Sequence, residues 1–188
     1  MAINFNGRVA IVTGAGGGLG RQHALALAAR GAKVLVNDLG SGVHGEGGSV
    51  SPAQAVVDEI RAAGGEALAN GASVTDFAAV EAMVQQAIDA WGRVDILVNN
   101  AGILRDKSFA KMNMDDFRLV VDVHLMGAAY CCKAVWPHMV AQQYGRIVMT
   151  TSSTGLYGNF GQSNYGAAKL AQVGLMQTLA LEGAKHNI

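Results

Sequence analysis

The chain has 188 residues, of which 51% are hydrophobic, enough for one full core. Its 14 basic and 14 acidic residues cancel and form no runs, which argues against a nucleic-acid or polyanion partner. Glycine is frequent (25 residues) and proline scarce (2), a balance that fits tight turns and close backbone approaches and excludes a disordered chain.

The N-terminus, Met1-Ala-Ile-Asn-Phe-Asn, runs straight into a strand, so no secretory signal is read there. No apolar run approaches the ~20 residues needed to cross a bilayer, so no membrane partner is expected and the location is read as cytoplasmic. The first strand is Arg8–Thr13, followed by Thr13-Gly-Ala-Gly-Gly-Gly-Leu-Gly20 and then a helical pattern. Four more short apolar runs each follow a glycine stop: Gly31 to Val36, Gly64 to Leu68, Gly92 to Val98 and Gly145 to Met149. A glycine just past a helix supplies a left-handed C-cap, and the run after it is a buried strand. Between the second and third strands lies a long loop, Asp38–Ser51, with five glycines. Loops of this length are commonly functional. The next helix opens at Ser51-Pro52-Ala-Gln54, which has capping-box spacing and a proline in the first turn.

Five strands separated by helices predict right-handed βαβ units, hence an α/β, Rossmann-like, doubly wound parallel sheet. Residues 1–188 are expected to form a single dinucleotide-binding and catalytic domain. Met114–Gln142 and Ser163–His186 are apolar nearly all round, and Gly166, Ala167, Ala168, Ala171 and Gly174 give the second a stripe of small residues. A helix apolar on every face needs cover on every face. A partner subunit would supply it, giving a homodimer or homotetramer; a further C-terminal segment is the alternative. Cys131 and Cys132 adjoin within a helical stretch, where they read as small packing residues in a reducing compartment. No metal is expected.

Two constellations carry chemistry. In the first, Gly14, Gly18, Leu19 and Gly20 sit between a strand and a helix, where bare backbone N–H groups and the helix dipole bind a pyrophosphate. Asp38 ends the second strand, 18 residues after Gly20. A carboxylate there accepts from the adenine-ribose hydroxyls and repels a 2′-phosphate, which favours NAD over NADP; capping the loop is its simpler role. In the second, Tyr165 and Lys169 are four apart on a helix and share a face. A nearby ammonium favours the phenolate and brings a tyrosine into useful acid/base range. Ser152, at the end of the fifth strand, can hydrogen-bond the reacting oxygen.

With these motifs the sequence resembles the short-chain dehydrogenase/reductase family along all 188 residues. The resemblance implies that Asn99-Asn-Ala-Gly102 supports the sheet, with Asn100, Ala101 and Gly102 lining the cofactor site. It implies that Val74 borders the adenine, Tyr165 is the acid/base, Lys169 also holds the nicotinamide ribose and Ser152 orients the substrate oxygen. Val34–Gly40, Asn99–Asp106, Val123–Leu125 and Gly155–Gln162 further resemble the branch found in peroxisomal multifunctional enzymes, which implies oxidation of a (3R)-hydroxyacyl-CoA with NAD. Three features depart from the family pattern. His124 replaces a relay asparagine and is expected to relay a proton in its place, or merely to fill the helix. Ser73 replaces an aspartate beside the adenine position. The chain also ends where the family begins its last strands and substrate lid, so it is expected to be C-terminally incomplete, and a peroxisomal signal cannot be read. The alternatives kept open are a 3-oxoacyl-carrier-protein reductase and a nucleotide-binding chain or fragment without turnover. The implied small-molecule partner is an acyl thioester or another secondary alcohol or ketone.

Overall fold

The computed structural model describes residues 3–188. Five strands, β1 (Val9–Thr13), β2 (Lys33–Asn37), β3 (Ala67–Asn70), β4 (Ile96–Asn99) and β5 (Arg146–Met149), form one sheet in the order β3-β2-β1-β4-β5. Every pairing is parallel, as in Ile11 opposite both Leu35 and Leu97. The chain works outward from β1 to β3, then returns to the other side of β1 for β4 and β5. That reversal opens a crevice beyond the carboxyl ends of β1 and β4, where ligands of such sheets bind.

Alternate residues of the central strands feed two cores. Val9, Ile11, Leu35 and Leu97 pack on α3 (Phe77–Trp91) and α5 (Gly127–Gln142) through Val80, Met83, Val84, Val135 and Met139. Ala10, Val12, Val34 and Val36 pack on α1 (Gly18–Ala28) and α2 (Ser51–Ala62) through Ala24, Val56, Val57 and Ile60. Burial on both faces is why these strands read as continuous apolar runs. Cys131 and Cys132 lie in the first core, and burial pushes both thiols up to about 12.

The glycine stops do not all act alike. Gly92 ends α3 with φ at +75°, a left-handed C-cap as expected. After α5 it is Gln143 that turns left-handed (φ 52°), whereas Gly145 is needed for packing: a Cβ there would meet Met139 Cβ at 3.0 Å. The capping box also shifts. Val50 is the N-cap of α2, Ser51 is already helical, and Ser49 Oγ accepts from Ser51 N–H at 3.1 Å.

The two apolar helical stretches are built differently from expectation. The first comprises α4 (Met114–Val121), one π turn (Asp122–Met126) and α5, a continuous 29-residue helix. By length and composition it is long enough to cross a membrane, which corrects the expectation that no stretch is; 44% of its most apolar window is buried inside the fold, and it packs on α3 and on the second apolar helix. The second, α7 (Ser163–Gly183), turns Asn164, Ala168, Lys169 and Gln172 inward and leaves Leu170, Met176 and Leu181 exposed. Its inner face is polar because it serves the crevice.

Asp95, wholly buried, ties the lower edge of the sheet. It accepts from Arg8 (2.7 Å), from Arg93 (2.7 and 2.6 Å) and from the Val9 N–H (2.9 Å). Burial opposes its charge, but the bonds from Arg93, Val9 and Arg8 outweigh it and hold the carboxyl below its usual 3.8. A depressed carboxyl contributes stability above pH 3.8 that is lost as pH falls further. Asp95→Asn is expected to destabilise by about 2 kcal/mol at pH 7 and by less at pH ~3, measured by urea unfolding.

Candidate active site

The loop after β1 is shaped by its neighbours. Thr13, buried at the end of β1, accepts from Asn100 N–H (3.0 Å) and Ala101 N–H (3.1 Å) through Oγ1. Asn100 Nδ2 donates in return to the carbonyls of Thr13 and Gly14, both at 3.0 Å. These bonds clamp the β4 exit against the β1 exit. Gly14 has φ at +62°, and a Cβ there would lie 2.7 Å from Ala101 Cα, so both the backbone conformation and the space demand glycine. At Gly16 a Cβ would lie 2.9 Å from the Asp38 carboxylate. The Gly16 N–H uses that closeness and donates to Asp38 Oδ2 at 2.8 Å, while Gly40 N–H donates to Oδ1 at 2.7 Å. Asp38 therefore does cap its loop, and each carboxylate oxygen keeps a lone pair for a further donor.

On the other side of the crevice, α7 presents Tyr165 and Lys169. Lys169 is buried, and its Nζ donates to the Thr150 carbonyl just beyond β5. Burial lowers it from 10.5 to about 8. Its Nζ lies 5.5 Å from the centre of the Tyr165 ring. The His124 ring meets the Tyr165 ring edge-on, centroids 5.1 Å apart. Asn164, fully buried, fixes this end of α7 by donating from Nδ2 to the Arg105 carbonyl at 3.0 Å.

His124 sits in the π turn, where the wider coil lets its side chain point inward. Its Nε2 lies 2.9 Å from the Ile103 carbonyl and 3.1 Å from the Ile103 N–H, so either tautomer finds a partner. Among the described residues its buried Nδ1 has none. Gly102 leaves room for the ring, since a Cβ there would come within 3.1 Å of Nδ1. Gln172 Nε2 donates to the His124 carbonyl at 2.8 Å and so pins the π turn. Burial, then the Lys169 charge, lowers His124 from 6.5 to about 4. The imidazole is neutral at pH 7, able to accept and donate without carrying charge. Because its folded value is depressed, its contribution is complete above pH 6.5 and is lost as pH falls towards 4. Unfolding free energies should drop by up to about 3 kcal/mol across that window, and His124→Asn should flatten this part of the profile.

These groups line one cavity of about 720 Å³, within the usual range of roughly 300–1,000 Å³ for small-molecule and cofactor sites. Gly14, Gly18, Leu19, Asp38, Val74, Asn100, Ala101, Gly102, His124, Tyr165 and Lys169 all border it. Gly20 does not; it packs beneath the loop, where a Cβ would lie 2.9 Å from Ala15 Cα. Ser152 is also outside the lining. It stands three residues past β5 as the N-cap of α6 (Ser153–Tyr157), its Oγ accepting from Thr154 N–H at 3.2 Å. Ser73 does border the cavity, bonded through Oγ to Thr75 at 2.8 Å. A glycine cradle at a helix start and a carboxylate just past the next strand fit a dinucleotide.

Sequence reasoning did not single out Thr13, Asn164 or Gln172. Gln172 carried a signal, since it lies seven residues after Tyr165 and thus on the same helical face. Thr13 and Asn164 adjoin the recognised motifs but act through contacts with distant segments.

The family model described as short chain dehydrogenase matches residues 8–188. The chain is 58% identical over 186 residues to peroxisomal multifunctional enzyme type 2 of Drosophila melanogaster, covering 99% of this chain but 31% of that protein's length. A short chain dehydrogenase from Mycobacterium avium superposes with a TM-score of 0.88 at 45% identity, covering 96% of this chain and 64% of that one. A 7α-hydroxysteroid dehydrogenase complexed with NADH and 7-oxo glycochenodeoxycholic acid superposes at 0.90 with 34% identity, covering 98% and 69%. With the family model matched over residues 8–188 and a parallel five-stranded sheet that agrees with these likenesses, the chain belongs to the short chain dehydrogenase family.

Proposed function

We propose that the chain is an NAD-dependent dehydrogenase that oxidises the secondary alcohol of a (3R)-hydroxyacyl thioester to the 3-oxo compound. The observation that carries this reading is the convergence of Tyr165, Lys169 and His124 on the cavity that also holds the glycine loop and Asp38. The substrate class rests on the likeness to the multifunctional relatives.

Bound NAD supplies the acceptor for the hydride leaving the carbinol carbon. Backbone N–H groups around Gly14, Gly18 and Leu19 would hold its pyrophosphate, with Gly20 packed beneath them, and Asp38 would accept from the adenine-ribose hydroxyls. Val74, Asn100, Ala101 and Gly102, which line the cavity, would border its adenine and the middle of the cleft. Tyr165, as phenolate, takes the hydroxyl proton, and the Lys169 ammonium favours that anion while holding the second ribose. His124, neutral and with Nδ1 open, passes the proton onward. Ser152, the N-cap of α6, is the proposed hydrogen-bond partner of the reacting oxygen through Oγ. A reductase drawing on NADPH is disfavoured because Asp38 would face the 2′-phosphate.

Residues 1–188 are read as one domain. The exposed Leu170, Met176 and Leu181 on α7 favour association with a second copy, as homodimer or homotetramer. The cytoplasmic location drawn from the sequence is not supported by the Drosophila relative, which is named as peroxisomal.

The test is NADH formation from (3R)- and (3S)-hydroxybutyryl-CoA, with NADP as control. Turnover of the R form with NAD alone is the expected result. NADH binding with no turnover of either form would overturn the substrate while leaving the dinucleotide site in place.

A further inference from the structure

Leu39 to Val43 and Gly45, on the loop between β2 and α2, line the cavity, and so do Ile103 and Leu104 beyond β4. These two segments meet at the cavity's rim. Leu104 N–H donates to the Val43 carbonyl at 2.9 Å, and His44 Nδ1 lies 3.0 Å from the Leu104 carbonyl. Arg105 closes the seam. Its Nε donates to the His44 carbonyl at 2.6 Å, and its Nη2 lies 3.8 Å from Glu46. Asp116 on α4 anchors the same guanidinium through Nη1 at 3.0 Å. The backbone of Arg105 is fixed as well, since its carbonyl takes the Asn164 bond beside Tyr165.

A planar group with donors on several edges can hold two segments in one geometry, which a lysine cannot. The loop it fastens is exposed from Gly42 to His44 and from Glu46 to Ser51, and it buries almost no apolar side chain of its own. Such segments open locally at low free-energy cost, and a bound ligand beneath one exchanges only when it opens. We infer that Arg105 is a positioning residue that fastens the loop after β2 across the dinucleotide cleft and thereby sets how fast NAD and NADH enter and leave. This inference rests on the dinucleotide-binding reading given above.

The experiment is stopped-flow fluorescence of NADH, with association measured directly and dissociation by displacement with excess NAD. Arg105→Met should accelerate both steps by about tenfold, because one charge-assisted bond across the seam is lost, while Kd moves less than about threefold. His44→Ala removes the tie to the Leu104 carbonyl from the other side of the seam. It should shift both rates the same way by about threefold, which keeps the test available should the arginine variant fail to fold. Unchanged dissociation in both variants would overturn the inference. So would faster dissociation with unchanged association, because that pattern marks loss of an ordinary cofactor contact. A parent chain that binds no NADH would remove the dinucleotide reading and the inference together; a parent that binds, with variants that exchange at its rate, removes only the inference.

Discussion

Tyr165→Phe should lower turnover of the preferred hydroxyacyl thioester by about 10³-fold, the usual range for losing a positioned acid/base being 10²–10⁴. NADH affinity should stay within about twofold, and stability within about 0.5 kcal/mol, since one oxygen is removed from a partly exposed ring. The reasons are geometric. The edge-on contact with His124 and the approach of Lys169 Nζ both involve the ring, and phenylalanine keeps the ring. The glycine cradle and Asp38 lie on the far side of the cavity and do not touch the substituted oxygen. What is lost is the group proposed to take the hydroxyl proton as hydride leaves the same carbon. Initial rates under saturating NAD, alongside NADH fluorescence titration, check both halves. A variant that keeps more than a tenth of the parent's rate would show that another group, His124 first, accepts that proton.

Much of this site was readable in advance because its parts are local. The cradle occupies seven consecutive residues after an apolar strand, and Tyr165 and Lys169 are one helical turn apart. The strands were legible for a similar reason, as apolar runs after glycine stops, and the observed sheet contains all five. What escaped reading depends on partners far along the chain. Gly145 looked like a helix stop, yet its small size answers Met139, and Gln143 makes the left-handed turn. Nothing in the composition of Asp122–Met126 marks a π turn, because an i→i+5 bond uses only backbone groups. The apolar look of α7 concealed an inner face of Asn164, Lys169 and Gln172, whose roles require the Arg105, Thr150 and His124 carbonyls brought up by other elements. The seam of Val43 and His44 with Leu104 joins segments about 60 residues apart and leaves no periodic trace.

Lys169→Met should separate function from stability in opposite directions. At pH 7 the ammonium is held in a buried site that lowers its value from 10.5 to about 8. A cation whose folded value is depressed destabilises the fold below that value, and the penalty disappears as pH rises from about 8 to 10.5. Methionine fills much of the same space without a charge, so it recovers up to about 3 kcal/mol, less about 1–2 kcal/mol for leaving the Thr150 carbonyl without its donor. The net gain is about 1–2 kcal/mol at pH 7, or about 3–6 °C in Tm for a chain of this size. Turnover should fall by about 10²–10⁴-fold, because the cation beside Tyr165, proposed to assist its proton transfer, is gone. His124 responds too: the Lys169 charge is the second cause of its low value, so its apparent pKa should rise in the variant. Thermal melts from pH 7 to 10.5 decide the matter. The parent should gain on the variant as pH rises through that interval, and a variant less stable than the parent at pH 7 would mean that the bond to Thr150 outweighs burial of the charge. On the expected outcome, Lys169 is held at the crevice at a standing loss of stability, a loss that the role proposed for it beside Tyr165 accounts for.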